Sequence, residues 1–146
     1  MQIEIQIDSK QQVPKIIILT DKMTDEIEDL VKKLSDSNPK IIAGFINEKL
    51  EILDQPNIIR AYSENKRVHV ATSKGIYTVR LRLYELEERL DASTFTRISN
   101  SEIINLKMVT NFDLSFTGTI CVKFRDGSTS YVSRRYVTKI KQILGI

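Results

Sequence analysis

Three short segments of the chain gather arginine, lysine, asparagine and serine side chains between apolar anchors, at residues 65–67, 97–101 and 130–135. Arginine can donate two hydrogen bonds to O6 and N7 of guanine, and asparagine can pair with N6 and N7 of adenine. Serine hydroxyls suit phosphate oxygens. Each segment alone is typical of a polar turn. Three of them together indicate a surface that binds nucleic acid.

The charge of the chain supports this interpretation, because it is unevenly distributed. Residues 1–54 hold 7 Lys/Arg and 11 Asp/Glu, a net charge of −4, whereas residues 55–146 hold 15 and 8, a net charge of +7. The two parts sum to the overall +3. A basic C-terminal part behind an acidic N-terminal part favours a polyanionic partner for the former, although many small domains reach +7 without one.

The residues offer little for catalysis. The sequence has one histidine, His69, inside an alternating strand pattern, and one cysteine, Cys121, inside the apolar run TICVKF. They are predicted to be a surface or edge histidine and a small core residue. No phosphate-binding loop, GxGxxG, GxSxG, HExxH or CxxC spacing occurs, so neither a nucleotide fold nor a zinc site is indicated. We expect no enzyme activity, no catalytic residue, no metal, no cofactor and no small-molecule substrate.

The elements that must position the three segments are mainly strands. Between residues 40 and 81, β-rich stretches recur every eight to ten residues, which is typical of a β meander. Asp126-Gly127, between TICVKF and TSYVS, is the strongest hairpin signal in the chain. Helical spacing of apolar residues predicts a short helix over 83–90 and a terminal helix from about Arg134. The fold class is therefore mainly β with α (α+β).

The N-terminal segment has a different pattern. Ile3, Ile5 and Ile7 alternate with polar residues and predict a half-buried strand, and PKIIIL predicts a second one. Thr24 is a predicted N-cap of an amphipathic helix that ends near Asn38-Pro39. The longest apolar run, 16–19, is far shorter than the ~20 residues of a membrane helix, and no signal peptide is visible. We expect a cytoplasmic protein.

Three ordered landmarks of this sequence resemble the LytTR DNA-binding domain of bacterial transcription regulators, over about residues 50–146. The clearest is FTRISNSEIINLKMV, from Phe95, which is similar to the phenylalanine, arginine, polar pair, serine and hydrophobic-asparagine pattern of that family. GSTSYVSRRYVTKIKQIL is similar to the closing strand, serine-arginine loop and terminal helix of the family. RLRLYELEERL resembles the preceding helix.

The resemblance implies an antiparallel β fold of about ten strands, whose loops, rather than a zinc finger or helix-turn-helix, enter successive major grooves of double-stranded DNA. It implies a contact with a base or the backbone by Asn100, a base contact by Arg135, and backbone contacts by Ser133 and Arg134. Many members have histidine where this chain has Ser99, which favours a phosphate contact there. Lys66 or Arg67 matches the tip of an early hairpin. The predicted DNA-binding residues are Lys66, Arg67, Arg97, Ser99, Asn100, Ser133, Arg134 and Arg135.

The resemblance also implies a division of the chain at residue 45. Residues 46–146 form the DNA-binding domain, and residues 1–45, too short for a phosphate-receiving domain, resemble the small βαβ extension of stand-alone LytTR regulators. The resemblance implies that residues 1–45 serve in regulation or dimerisation. It also implies that a companion membrane protein can act as an antagonist of the regulator. The expected function is a sequence-specific regulator that binds direct repeats as a homodimer.

Two alternatives remain open at this point. One is a protein-interaction adaptor that works through the acidic helix 24–37. The other is a barrel-type binder of single-stranded nucleic acid, which needs exposed aromatic side chains. Tyr62, Tyr77, Tyr131 and Tyr136 are predicted mostly to point inward, so this alternative ranks last.

Overall fold

The chain divides into two compact units, Met1–Asn38 and Pro39–Ile146, in a computed structural model that describes residues 1–35 and 40–146. This division precedes the one predicted at residue 45, because the strand that contains Ala43 and Ile46 pairs inside the second unit.

The first unit contains one helix, α1 (Asp25–Ser35). It begins where predicted, since Thr24 Oγ1 accepts a hydrogen bond from the N–H of Ile27 at 3.4 Å, and Asp25, Glu26 and Glu28 lie in its first turn. The helix end predicted near Asn38-Pro39 lies outside the described residues. The acidic first turn complements the positive end of the helix dipole.

The two strands predicted before α1 are not strands in the structure. Residues 1–24 contain a turn at residues 9–10 but no segment with strand pairing. The side chains of Ile3, Ile5 and Ile7 are 87%, 83% and 96% exposed. The alternation in this segment is compatible with a strand, but a strand forms only against a hydrogen-bonded neighbour, and this segment has none in the described chain.

The second unit is built on a seven-stranded antiparallel sheet, sheet A. Its strands are β1 (Ala43–Ile46), β2 (Lys49–Ile52), β3 (Ile58–Glu64), β4 (Arg67–Thr72), β5 (Gly75–Val79), β6 (Phe95–Ser99) and β7 (Glu102–Asn105). Neighbours follow the order β2-β1-β5-β4-β3-β7-β6. Because β3 pairs with both β4 and β7, the β3–β4 hairpin and the β6–β7 hairpin lie side by side.

A three-stranded sheet and two helices complete this unit. Sheet B consists of β8 (Val109–Asp113), β9 (Ile120–Phe124) and β10 (Thr129–Val132), in the order β10-β9-β8. The hairpin predicted at Asp126-Gly127 is confirmed as the β9–β10 connection. The helices α2 (Leu83–Arg89) and α3 (Arg134–Leu144) confirm the two helices predicted for this part of the chain.

Two apolar clusters hold the sheets and helices together. In the first, Leu83, Leu86 and Leu90 of the α2 segment lie among residues of β3, β4 and β5 such as Ala61, Val70 and Tyr77. In the second, Ile98 and Ile104 of sheet A pack with the apolar residues of sheet B and with Ile140 of α3. The second cluster includes Ile98, at the end of β6, which fixes the position of α3 beside the β6–β7 hairpin.

Asn105 is a polar residue inside this core and is 1% exposed. Its Nδ2 donates to the carbonyl of Ile58 at 2.8 Å, and its Oδ1 accepts from the N–H of Lys107 at 2.9 Å. The side chain thereby joins the end of β7 to the start of β3 and satisfies groups that burial would otherwise leave unpaired.

The predicted fold class is confirmed, with ten mainly antiparallel strands and a terminal helix. None of the helices among residues 1–35 and 40–146 has the length and apolar character needed to span a bilayer.

Candidate nucleic-acid interface

Three polar loops of the second unit are joined to one another by hydrogen bonds. The N–H of Ser63, near the end of β3, donates to the carbonyl of Ser101 in the β6–β7 turn at 2.9 Å. The N–H of Ser133, between β10 and α3, donates to the carbonyl of Ile98 at 2.8 Å. The β6–β7 turn therefore lies between the β3–β4 hairpin and the start of α3, and the three predicted polar segments belong to one surface.

The tip of the β3–β4 hairpin presents two cationic side chains. Asn65 and Lys66 have φ of 51° and 63°, the positive values that a two-residue type I′ turn requires at both positions. Glu64 pairs with Arg67 at the ends of the two strands. Lys66 and Arg67 are both exposed, so their charges face solvent.

The β6–β7 turn presents Asn100, which is exposed. Ser99 and Ser101 flank it and interact with each other, because Ser99 Oγ accepts from the N–H of Ser101 at 3.2 Å and lies 3.3 Å from Ser101 Oγ. The Ser99 hydroxyl thus contributes to the shape of the turn, and Asn100 is the side chain that projects from it.

Arg97 differs from the other predicted contact residues, because its guanidinium group bonds within the protein. Its Nε donates to Glu87 Oε2 at 2.7 Å, and the Arg97 side chain is only 15% exposed. Its Nη1 donates to the carbonyl of Asn100 at 2.5 Å and lies 3.5 Å from the carbonyl of Ser99. This arginine links α2 to the backbone of the β6–β7 turn.

The start of α3 presents two arginines side by side. Ser133 is the N-cap residue, although its side chain makes no capping hydrogen bond, and Arg134 and Arg135 form the first turn and are exposed. The Arg134 guanidinium lies over the backbone of Gly118, where an added Cβ would be 3.3 Å from Arg134 Nε. Arg135 has no comparable contact in the described structure and is the freer of the two.

Tyr136 connects the start of α3 to the β6–β7 turn directly. Its hydroxyl donates to Asn100 Oδ1 at 3.4 Å, and the Tyr136 ring is half-buried at the edge of the second apolar cluster. With Oδ1 facing Tyr136, the Asn100 Nδ2 group is left to donate outward. Sequence reasoning did not assign this role to Tyr136, and no local pattern marks it, because Asn100 lies 36 residues earlier.

Two further partners of the interface were also missed. Glu87 lies on the exposed face of α2, and its carboxylate binds Arg97. Beneath the turn, Arg60 Nη1 lies 3.2 Å from Glu102 Oε1, and Arg60 also lies over the ring of Tyr62, 4.5 Å from its centroid. The Arg60–Glu102 contact depends on the pairing of β3 with β7, and the Arg97–Glu87 contact joins β6 to α2, so sequence spacing alone reveals neither.

The prediction that the tyrosines point inward holds for only one of them fully. Tyr77 is buried, whereas Tyr62 and Tyr136 are half-buried. Tyr131 is 54% exposed and stands edge-to-face with Phe116, which is 44% exposed, at a centroid distance of 5.7 Å. His69 lies on β4, an interior strand rather than an edge strand; it is half-buried and stacks on Tyr62 at 5.3 Å.

Three aspartates of the second unit share one local arrangement, Asp-x-Ser. The Ser93 hydroxyl donates to Asp91 at 2.8 Å, the Ser115 hydroxyl to Asp113 at 2.6 Å and the Ser128 hydroxyl to Asp126 at 2.6 Å. These hydroxyl hydrogen bonds are the main cause that lowers the pKa of each carboxyl below its usual value, with the N–H of the same serine adding to the effect. The turns are therefore held by ionised carboxylates at neutral pH.

Chemically, the surface offers cations, amide groups and hydroxyls, a set that suits hydrogen bonds to phosphates and base edges. Within the part of the chain that the structure describes, no three His, Cys, Asp or Glu side chains are arranged to hold a metal ion. Cys121 is buried in β9.

Comparison with known proteins gives a consistent result. The model of the family described as the LytTr DNA-binding domain matches residues 48–145. A Staphylococcus aureus (strain MSSA476) protein described as an uncharacterized HTH-type transcriptional regulator is 32% identical over 147 residues, which cover 100% of this chain and 99% of that protein. Its counterpart in strain NCTC 8325 is 31% identical over the same extent.

A solved structure supports the fold. A LytTr DNA-binding domain from Bacillus cereus superimposes with a TM-score of 0.69 at 18% sequence identity, and the match covers 73% of this chain and 97% of that one. The relatives' names refer to a helix-turn-helix. The described helices of this chain do not form one, since five strands separate α1 from α2 and another five separate α2 from α3.

Proposed function

The chain belongs to the LytTR family of DNA-binding domains, and from this membership we propose that it is a transcriptional regulator that binds double-stranded DNA in a sequence-specific manner. The names of its relatives, which describe transcriptional regulators, support the regulatory part of the proposal. In this proposal the loops of the second unit enter the major groove.

The observation that carries the proposal is the union of three loops into one polar surface. Hydrogen bonds from Ser63 to Ser101, from Ser133 to Ile98 and from Tyr136 to Asn100 connect the loops. A surface that reads a duplex needs several contact points held in a fixed relative arrangement, because phosphate contacts set the register in which base contacts are made. The β sheets beneath provide that arrangement.

We assign the base contacts to Asn100, in the β6–β7 turn, and to Arg135, in the first turn of α3. Asn100 has its Nδ2 free to donate while Tyr136 holds its Oδ1, so it would donate to an acceptor such as N7 of a purine. Arg135 is exposed and can bond O6 and N7 of guanine together. Specificity would then reside in the centre of the surface.

We assign the phosphate contacts to the residues around this centre. Lys66 and Arg67 lie at a hairpin tip and are exposed, and Ser133 and Arg134 lie at the N-terminus of α3, where N–H groups favour anions. The serine at position 99 would contact phosphate only in addition to its bond within the turn. Each cation that neutralises a phosphate increases the salt dependence of binding.

Arg97 receives a positioning role in this proposal instead of a DNA contact. The guanidinium is engaged by Glu87 and by the carbonyl of Asn100, and a contact with DNA would require it to leave both partners. Holding that carbonyl fixes the backbone from which the Asn100 side chain projects.

We further propose that two copies bind direct repeats, as the family resemblance implies. Control by a companion membrane protein through residues 1–45 remains a prediction.

The experiment that tests the proposed function is selection of binding sites from random duplex DNA with the full-length chain, followed by a titration of affinity against salt. We expect an enriched motif that contains a repeat. We also expect log affinity to fall with log salt concentration by about 0.9 for each phosphate contact.

Lys74→Ala is the matched control for Lys66→Ala. Lys74 lies at the β4–β5 turn, at the opposite end of β4 from Lys66, so the two variants remove the same charge from the two ends of one strand. Lys66→Ala should weaken binding and Lys74→Ala should not. Selection without an enriched motif, together with equal effects of the two variants, would contradict the proposal.

A further inference from the structure

The first unit exposes an amount of apolar side chain that is unusual for a single copy. In residues 1–23 the exposed fractions are 87% for Met1, 87% for Ile3, 83% for Ile5, 96% for Ile7, 71% for Val13, 70% for Ile16, 67% for Ile17, 93% for Leu19 and 63% for Met23. Scattered apolar residues on a surface need no explanation, but a dense group of them marks an interaction site.

The same residues have the chemistry of strands that lack a partner. Residues 3–7 alternate Ile with Glu and Gln, which gives one apolar and one polar face in an extended chain. A turn separates this segment from the apolar run at 16–19, since the N–H of Gln11 donates to the carbonyl of Asp8 at 3.1 Å and the N–H of Lys10 donates to Asp8 Oδ1 at 2.9 Å. Two strand-forming segments and their turn are present, but the described chain supplies no strand to pair with them.

We propose that the partner is a second copy of this chain, and that residues 3–7 of the two copies pair as antiparallel strands centred on Ile5. This inference goes beyond the proposed function, because the association it describes does not require DNA. If two copies also bind repeats, the paired segments would be the connection that keeps them together.

The sequence of the segment selects this register among the alternatives. When Ile5 lies opposite Ile5, Ile3 lies opposite Ile7 and Glu4 lies opposite Gln6, so like charges never face each other. A shift of two residues toward the N-terminus places Glu4 opposite Glu4, and a shift of two toward the C-terminus places Glu4 opposite Asp8. Like charges directly opposite are destabilising, and odd shifts would place isoleucine opposite polar residues.

The self-complementary register is the reason to choose a second copy over another partner. A two-fold symmetric contact requires that residue i meet j and that j meet i, and the Ile3–Ile7, Ile5–Ile5 and Glu4–Gln6 pairs satisfy this condition. Within one copy Gln6 Nε2 already lies 3.4 Å from Glu4 Oε1, so these two side chains share one face and are compatible neighbours. Since two strands alone are marginally stable, residues 16–19 of each copy would flank the central pair.

The first test measures mass in the absence of DNA, by light scattering during size exclusion. We expect twice the chain mass of 16.8 kDa at micromolar concentration. Ile5→Lys should shift the protein toward the monomer, whereas Gln6→Lys, which adds the same charge to the other face, should leave the dimer intact. A full-length chain that stays monomeric would overturn the inference.

The second test uses cysteine crosslinking and reports the register without requiring a variant to lose its fold. The native Cys121 is 4% exposed, so an introduced cysteine is the reactive one. Ile5→Cys should form a disulfide-linked dimer on mild oxidation. Gln6→Cys, which would face Glu4, should form far less, and Ile3→Cys should link to Ile7→Cys only when the two variants are mixed. Equal crosslinking at positions 5 and 6 would overturn the inference.

A third measurement separates a lipid partner from a second copy. The full-length chain is mixed with phosphatidylcholine–phosphatidylglycerol vesicles and sedimented. If the monomer binds these vesicles through Ile5, so that Ile5→Lys abolishes sedimentation, the exposed isoleucines bind a membrane surface and the inference is wrong.

The DNA selection and the crosslinking test the two proposals separately. If DNA selection fails while the Ile5→Cys dimer forms, the proposed function fails and the inference stands.

Discussion

The hydroxyl of Tyr136, in the first turn of α3, lies 3.4 Å from Oδ1 of Asn100 in the β6–β7 turn. Two residues that are 36 positions apart therefore define one small region of the surface. The contact orients the amide of Asn100, and it couples that amide to the helix that carries Arg134 and Arg135. This relationship yields the first prediction.

Tyr136→Phe should weaken DNA binding by about 0.5–1.5 kcal/mol, because it removes one hydrogen bond and leaves the ring packing in place. The loss should be confined to sequences that match the motif at the Asn100 position. A double-mutant cycle with Asn100→Ala, measured by fluorescence anisotropy, should show a coupling energy of at least about 0.5 kcal/mol. Additive effects would mean that the hydroxyl does not act through Asn100.

Arg135→Ala should weaken the free energy of DNA binding by about 1–3 kcal/mol and relax the preference at one base position. This is the effect expected when an arginine that donates two hydrogen bonds to guanine is removed. Lys66→Ala should instead weaken all sequences about equally and reduce the salt slope by about 1. Both quantities come from anisotropy titrations on the selected motif and on single-base variants of it. If Arg135→Ala leaves affinity and motif unchanged, the base contact is wrongly assigned.

Arg97→Ala should lower the free energy of unfolding by about 1–3 kcal/mol, because the carbonyl of Asn100 loses its charged donor. Glu87→Gln should lower it by less than about 1 kcal/mol, since the Glu87 side chain is 46% exposed and solvent weakens such a pair. Urea unfolding gives both values.

The salt dependence of DNA binding decides between two roles for Arg97. A positioning residue leaves the salt slope unchanged when it is replaced, even though affinity falls. A slope that decreases by about 1 in Arg97→Ala would show that this guanidinium meets a phosphate, as the sequence analysis expected.

Acid should weaken the fold through Asp91, Asp113 and Asp126, whose pKa values are lowered chiefly by serine hydroxyl hydrogen bonds. A carboxyl with a lowered folded-state pKa contributes stability at pH above its unfolded value, about 3.9, and this contribution is lost as pH falls through the folded value. The urea concentration at the midpoint of unfolding should therefore decrease as the pH is lowered below about 4.

Replacement of all three aspartates by asparagine is the matched variant, because the amide oxygen can accept the same hydrogen bonds without a charge. The urea midpoint of this variant should depend less on pH between about 2 and 5 than that of the native chain. An identical pH dependence would place the acid sensitivity in other carboxyls.

Much of the second unit was predictable because its signals are local. Asp126-Gly127 supplies the positive φ that its tight turn requires, and the spacing of Leu83, Leu86 and Leu90 specifies one apolar helix face. The polar segments at 65–67, 97–101 and 130–135 were recognised by residue type, and the structure brings them together. Their positions relative to one another could not be derived from spacing, because the pairing of β3 with β7 is a contact between distant parts of the sequence.

The features that could not be predicted are contacts between residues that lie far apart in the sequence, which local patterns do not specify. The alternation at Ile3, Ile5 and Ile7 predicted a half-buried strand, but the structure has no strand there and these side chains are exposed. A strand requires a hydrogen-bonded neighbour, which the alternation alone does not supply. Arg97 was recognised as a polar residue in a binding segment, but its bond to Glu87 crosses from β6 to α2. Tyr131 was expected inside, whereas edge-to-face contact with Phe116 holds it at the surface.

The backbone of the β3–β4 tip yields the last prediction. Lys66 has φ of 63°, where glycine, without a Cβ, is favoured. The β1–β2 hairpin has the same feature, with Glu48 at φ of 63°. Lys66→Gly and Glu48→Gly should each raise the free energy of unfolding by up to about 1 kcal/mol, as urea unfolding would show. Only Lys66→Gly should weaken DNA binding.

If this holds, the residue at the second position of the β3–β4 turn is subject to opposing demands. Folding alone would favour glycine there, and a search for more stable variants would select it. Contact with a polyanion favours the long cationic side chain of Lys66. A thermostabilised form of this chain that carries glycine at position 66 would thus have a higher free energy of unfolding and a lower affinity for DNA.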